Sequence, residues 1–93
     1  MKEKVYIAGQ ITNCPNYEEL FDDAKVKYES MGYIVINPAE LPGGMSPADY
    51  MRICIPMVDT SDIVVFLPNW INSKGAKIEN GYADYIGKRI IYE

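Results

Sequence analysis

Four short apolar runs alternate along this chain with three segments of helical periodicity, and that alternation narrows the fold more than any other feature. The runs are Lys4–Ala8, Tyr33–Asn37, Ile63–Leu67 and Arg89–Tyr92. They are close to continuously apolar, as strands buried on both faces are. Strands separated by helices predict a mostly parallel sheet covered by helices on both sides. In such a sheet ligands bind beyond the carboxyl ends of the strands, so the loops Gly9–Pro15, Pro38–Met45 and Pro68–Ser73 border the expected site. No repeat, linker or second unit interrupts the pattern, and residues 1–93 form one α/β domain on this reading.

The helices carry their own start and stop signals. Asn16 with Glu19 three positions on predicts a capping box, and Tyr17, Leu20, Phe21, Ala24, Tyr28 and Met31 then recur at helical spacing up to Gly32. Ser46-Pro47-Ala48-Asp49 announces the second helix, with a Ser cap and Pro in the first turn. Pro56 removes a backbone hydrogen bond and is expected to kink or tighten that helix near its end. Asp59–Asp62 then leads into the third strand. The third helix spans Ser73–Ile86, and Gly87 closes it.

One residue of that third helix is out of place. Wound at about 100° per residue, Gly75, Ala76, Tyr82, Ala83 and Ile86 share a face, while Lys74, Lys77, Gly81 and Asp84 lie opposite. Glu79 sits in the middle of the apolar stripe. A carboxylate taken out of water there is costly unless it is hydrogen-bonded, neutralised or facing a cleft.

Composition excludes several chemistries. The chain has no histidine, which removes Ser-His and Cys-His nucleophiles and the ordinary zinc sites. Acid–base work must rest on Asp, Glu, Tyr, Cys or Lys. A net charge of −4 without a basic run argues against a nucleic-acid groove. A phosphate can still be held by backbone N–H groups at a helix start. Neither a dinucleotide fingerprint nor a P-loop is present. No secretory, lipidation or membrane-spanning pattern occurs, so a cytoplasmic location is expected, with Cys14 and Cys54 as free thiols. Eight tyrosines can line a pocket or a surface for self-association.

What remains gathers at one edge of the expected sheet. Tyr6 lies in the first strand, with Gly9 and Asn13 in its loop. Trp70 and Asn72 precede the helix start at Ser73, and Glu79 lies less than two turns further on. A carboxylate beside a phenol, with an aromatic wall and amides nearby, suits a sugar or nucleoside, either as a binder or as a nucleophile at the anomeric carbon. Each part also has a plainer reading: Tyr6 as core, Trp70 as a cover for the sheet edge, Ser73 as a cap, Glu79 as a salt-bridged residue.

These stretches also carry a resemblance. V-Y-I-A-G at 5–9, N-Y at 16–17, G-Y-x-V-I-N-P-A-E at 32–40, S-D-I-V-V at 61–65 and L-P-x-W-x-x-S-x-G-A-x-x-E at 67–79 run almost end to end. The chain resembles the small members of the nucleoside 2-deoxyribosyltransferase-like superfamily, which includes the deoxynucleoside 5′-monophosphate N-glycosidases. The resemblance implies a flavodoxin-like Rossmann fold, here a four-stranded sheet in the order 2-1-3-4. It implies chemistry at an N-glycosidic bond without a cofactor or metal. Glu79 would be the nucleophile and Tyr6 would place it. Gly9, Asn13, Trp70, Ser73 and Gly75 would contact substrate, with Ser73 favouring a 5′-phosphate. It further implies a small-molecule nucleoside or nucleotide as partner and a homodimer or higher homo-oligomer.

The resemblance is broken at named positions. The acid that active members carry in the second helix, which helps protonate the leaving base, is Cys54 in this chain. Gln10 and Asn13 stand where Pro and Gly are common, and Asn69 stands in place of the Gly before Trp70. Asp49 or Asp59 substitutes for the missing acid only if the kink at Pro56 shifts the helix. The competing reading is a non-catalytic binder of a nucleotide-like ligand, with Cys54 marking lost turnover.

Overall fold

The computed structural model describes residues 1–93. The elements are β1 (Lys4–Ala8), α1 (Tyr17–Ser30), β2 (Ile34–Ile36), α2 (Pro47–Thr60), β3 (Ile63–Phe66), α3 (Lys74–Tyr85) and β4 (Arg89–Tyr92), with single 3₁₀ turns at Pro38–Glu40 and Pro68–Asn72. The sheet order is β2-β1-β3-β4 and every pairing is parallel. This is the expected architecture. β1 and β3 are central, register Tyr6 against Val64, and are fully flanked, which is why their residues are almost all buried.

The period-2 alternation of strand side chains divides the interior in two. Val5 and Ile7 of β1, with Ile63, Val65 and Leu67, pack on Phe21, Ala24 and Tyr28 of α1. Tyr6 and Ala8, with Val64 and Phe66, face Cys54 and Val58 of α2 and Ala83 of α3. Helices therefore cover both faces, one on the first side and two on the second.

Two start signals hold and one does not. Ser46 Oγ accepts the Asp49 N–H, and Ser73 Oγ accepts the Ala76 N–H, both as side-chain caps. The capping box expected at Asn16 is absent: Asn16 makes no side-chain cap bond, and its carboxamide oxygen instead accepts the Cys14 thiol at 3.5 Å. Leu20 and Met31 also leave the buried stripe of α1 and are exposed. α2 runs through Asp59 and Thr60, beyond the expected loop start. Thr60 Oγ1 donates to the Pro56 carbonyl, and the Ser61 N–H closes on the Met57 and Val58 carbonyls. Asp62 then fixes the start of β3 by accepting the Lys4 backbone N–H at 2.8 Å.

Candidate active site

The Ser73 cap sets the direction of α3, and the helix carries Glu79 inward in its second turn, where only 5% of the residue is exposed. Tyr6 comes to meet it from β1. Its side chain belongs to the face of the sheet that α2 and α3 cover, and its Oη donates to Glu79 Oε2 at 2.5 Å. The two residues lie 73 positions apart in sequence. No buried side-chain polar atom in the chain lacks a partner.

Burial governs the protonation of this pair. Desolvation raises the Glu79 carboxyl from 4.5 to about 7, while the hydrogen bond from Tyr6 pulls it part of the way down. The Tyr6 phenol is pushed well above its usual range by burial and by the neighbouring Glu79 charge, so it keeps its proton and remains a donor. Cys54 sits beside the phenol in the same cluster, 7% exposed. Burial pushes its thiol up, the Tyr6 hydroxyl lowers it, and the Glu79 charge raises it further. At neutral pH the cluster thus holds one partly ionised carboxylate and two neutral groups, with the Tyr6 phenol in contact with both others.

The remaining expected residues are placed in different ways, and Gly9 and Asn13 make no hydrogen bond with the pair. Trp70 packs on the same side of the sheet, its ring 5.3 Å from Phe66 and 5.7 Å from Tyr92, which itself stacks on Phe66 at 5.6 Å. Asn80, next to Glu79, donates to Tyr92 Oη at 2.7 Å. Sequence reasoning missed Asn80 and Tyr92, although Tyr92 shares the strand phase of Ile90 on this face. A Cβ at Gly75 would stand 3.4 Å from Met51 Sδ and 3.9 Å from Ser73 Oγ, ordinary contact distances, so packing alone does not demand glycine there. Gly9 takes no left-handed conformation. Its role is close approach, since a Cβ would lie 3.1 Å from Leu67 Cδ1 and from Asn69 Oδ1.

Asn13 is exposed at φ 60°, a left-handed position that Asn tolerates better than most residues. Two departures from the family pattern also meet each other. The Gln10 backbone N–H donates to Asn69 Oδ1 at 3.1 Å, and Asn69 Nδ2 donates to Cys14 Sγ at 3.7 Å. A proline at position 10 has no N–H to give, so Gln10 and Asn69 form a matched pair that ties the first loop to the third.

The structure does not bring Asp49 or Asp59 to the site as substitutes for the missing acid. Asp49 is bonded to Arg52 at 3.0 Å, and Asp59 accepts the Tyr82 hydroxyl at 3.3 Å. Each is five residues from Cys54, about 140° around the helix, so the chain turns both carboxylates away from that position. Two depressions of about 360 and 340 Å³ open elsewhere, both beside α1, and neither touches Tyr6 or Glu79. Three or more His, Cys, Asp or Glu side chains arranged to hold a metal ion occur nowhere in the chain. No helix is long and apolar enough to cross a membrane.

A parallel α/β sheet with a buried carboxylate–phenol pair below the carboxyl edge of its central strands defines the class of this molecule. The same arrangement of sheet and helices recurs in two solved structures. The chain belongs to the DUF4406 family, described as a domain of unknown function, whose pattern matches residues 3–92. No curated protein matches the sequence. Among solved structures, a 2-deoxyribosyltransferase from Leishmania mexicana superposes with a TM-score of 0.76 at 19% identity, covering 97% of this chain and 63% of that one. A CMP N-glycosidase from Clostridium botulinum superposes with a TM-score of 0.73 at 24% identity, covering 97% of this chain and 70% of that one. The chain therefore spans less than two thirds of the length of the first of these neighbours.

Proposed function

We propose that this protein cleaves or transfers at the N-glycosidic bond of a nucleoside or nucleoside 5′-monophosphate, with Glu79 as the nucleophile. The observation that carries the reading is the Tyr6–Glu79 pair: a carboxylate buried to 5% exposure, held by a phenol, with its pKa raised to about 7. Such a group is ionised often enough at neutral pH to attack, and poorly solvated enough to be reactive. Glu79 forms a bond to the anomeric carbon as the base departs, and water or a second base then takes the sugar from it. Displacement by a carboxylate requires no cofactor.

The other residues have roles that follow from their positions. Tyr6 fixes the carboxylate and orients its free oxygen. The Lys74 and Gly75 N–H groups of the first turn of α3 have no helical acceptor, and with the Ser73 hydroxyl they suit a 5′-phosphate or 5′-hydroxyl. Gly75 leaves the space beside Ser73 unfilled. Trp70 walls the base side, and Gly9 and Asn13 shape the loop beside it. The names of the two structural neighbours, a deoxyribosyltransferase and an N-glycosidase, support this kind of activity. Assembly into a homodimer or larger homo-oligomer belongs to the same reading.

The test is to incubate the protein with a panel of nucleosides and 5′-monophosphates and follow free base by chromatography, with Glu79→Ala alongside. Release that disappears in the variant supports the reading; release that survives defeats it. A second reading is favoured by the thiol at Cys54: a protein that binds a nucleotide-like ligand without turning it over. It predicts thermal stabilisation without product, about 2.7 kcal/mol at 100 times the dissociation constant.

A further inference from the structure

We infer that the base released by this site is a cation: a nucleoside or nucleotide whose glycosidic nitrogen belongs to a pyridinium or an N-alkylated purinium ring. The inference rests on Glu79 acting as nucleophile and deepens that reading by naming the leaving group. A neutral base leaves as an anion unless a proton is delivered to it. A cationic base leaves as a neutral molecule and needs none.

The cluster around Glu79 holds no second carboxylic acid and no imidazole to deliver that proton. The chain has no histidine, and 13 carboxylates in all. Five of these are on α1, across the sheet from Glu79. Glu3, Glu40 and Glu93 are paired with Arg89, Lys25 and Lys27. Asp62 is held by Lys4, Asp49 by Arg52 and Asp59 by Tyr82, and Asp84 is exposed at the end of α3. The groups that do touch the pair are the Tyr6 phenol, already committed to Glu79, and the Cys54 thiol. The Tyr6 proton is already donated to Glu79, and a thiol whose proton is held by burial is a poor substitute for a carboxylic acid. The α3 lysines, Lys74 and Lys77, are exposed on the outer side of the helix.

A second feature points the same way. Phe66, Trp70 and Tyr92 form a continuous aromatic group on the Glu79 side of the sheet, with ring centroids 5.3–5.7 Å apart. Phe66 is fully buried, but Trp70 and Tyr92 keep part of their rings exposed; such faces attract a flat cation, and the net charge of −4 favours it at a distance. A cationic ring placed near Glu79 also stabilises the ionised carboxylate that must attack, in a site where little water screens them.

The step balances without an acid. A Glu79 carboxylate oxygen forms a bond to the anomeric carbon while the bond to the ring nitrogen breaks. Both electrons of that bond go to the nitrogen and cancel its charge. Water then adds to the anomeric carbon, the electrons of the ester bond return to Glu79, and the proton of the water passes to solvent. The sum is cationic nucleoside plus water giving sugar, neutral base and one proton.

The experiment compares substrates that differ by one methyl group: guanosine 5′-monophosphate and 7-methylguanosine 5′-monophosphate, in ribo and deoxyribo forms, with nicotinamide mononucleotide as a second cation. Base release is measured on the wild-type chain at a pH where the methylated ring is cationic. Because a positioned general acid is worth roughly 10²–10⁴-fold, kcat/KM is expected to favour the cation by about 100-fold or more. Cys54→Asp is expected to raise the rate on the neutral substrate and narrow that ratio. A ratio under about tenfold, with both releases lost in Glu79→Ala, overturns the inference and leaves the Glu79 reading standing. Release that survives Glu79→Ala overturns both. Release from no cation overturns the inference as well, and guanine release by Cys54→Asp in that case preserves the role of Glu79. The wild-type comparison needs no variant to fold.

Discussion

The two faces of the sheet are built by the same strands and do different work. Toward α1, β1 and β3 present Val5, Ile7, Ile63 and Val65 to Phe21, Ala24 and Tyr28, an interior that is almost wholly apolar. The hydroxyl of the buried Tyr28 reaches the rim and donates to Glu93. Toward α2 and α3, the intervening residues present Tyr6, Ala8, Val64 and Phe66 to Cys54, Ala83 and Glu79. One face is tight packing; the other encloses a phenol, a thiol and a carboxylate. The period of a strand lets a small domain keep stability and chemistry one residue apart.

Breaking the apolar face has the largest expected effect on stability. Phe21 is fully buried, and Phe21→Ala is expected to cost about 3–5 kcal/mol by the usual transfer and cavity terms. Urea or guanidinium midpoints measure it. Base release per folded molecule is expected to remain, because the reacting groups lie across the sheet.

The polar face is expected to respond in the opposite direction. Glu79 binds its proton more tightly folded, near 7, than unfolded, near 4.5. Its contribution to stability is therefore full below about pH 4.5, falls as pH rises toward 7, and is lost above that. Glu79→Gln is expected to stabilise the protein at pH 8 by as much as about 3 kcal/mol and to have little effect at pH 4. Thermal melts at the two pH values check this. Equal effects at both would remove the contrast between the faces.

Tyr6→Phe sharpens the comparison further. The lost hydrogen bond is one that lowers the Glu79 pKa, so the rise of base release with pH is expected to move to a midpoint above 7, read from a pH–rate profile. The smallest effect is expected at the edge of the site. Ser73→Ala removes the α3 cap at about 1 kcal/mol, whereas Ser73→Asp retains a capping oxygen. A greater rise in KM for a 5′-monophosphate than for its nucleoside in Ser73→Ala marks the phosphate contact.

Much of this was legible in the chain because it depends on periodicity. Continuous apolar runs defined the strands, and an interrupted helical stripe singled out Glu79. Its pairing with Tyr6 also lay within reach, since both residues belong to the same side of the sheet. What escaped depends on single side-chain hydrogen bonds and close approaches, near and far in sequence, that leave no periodic trace. The Asn16 cap failed because Cys14, two residues back, offers the carboxamide a different partner. Gly9 is small for the sake of Leu67 and Asn69, which sequence spacing cannot reveal. The length of α2 was misjudged because Thr60 bonds back to the Pro56 carbonyl and carries the helix past the expected loop. The bond from Asn80 to Tyr92 joins two residues that show no pattern together.

The central claim is that the buried Glu79 carboxylate takes the sugar. The most direct measurement is mass spectrometry of the acid-quenched protein during turnover of a substrate it is found to cleave, followed by peptide mapping. The account predicts an added glycosyl mass on the peptide carrying Glu79, with the adduct and the base release both lost in Glu79→Gln. Base release continuing at the wild-type rate in Glu79→Gln would contradict it.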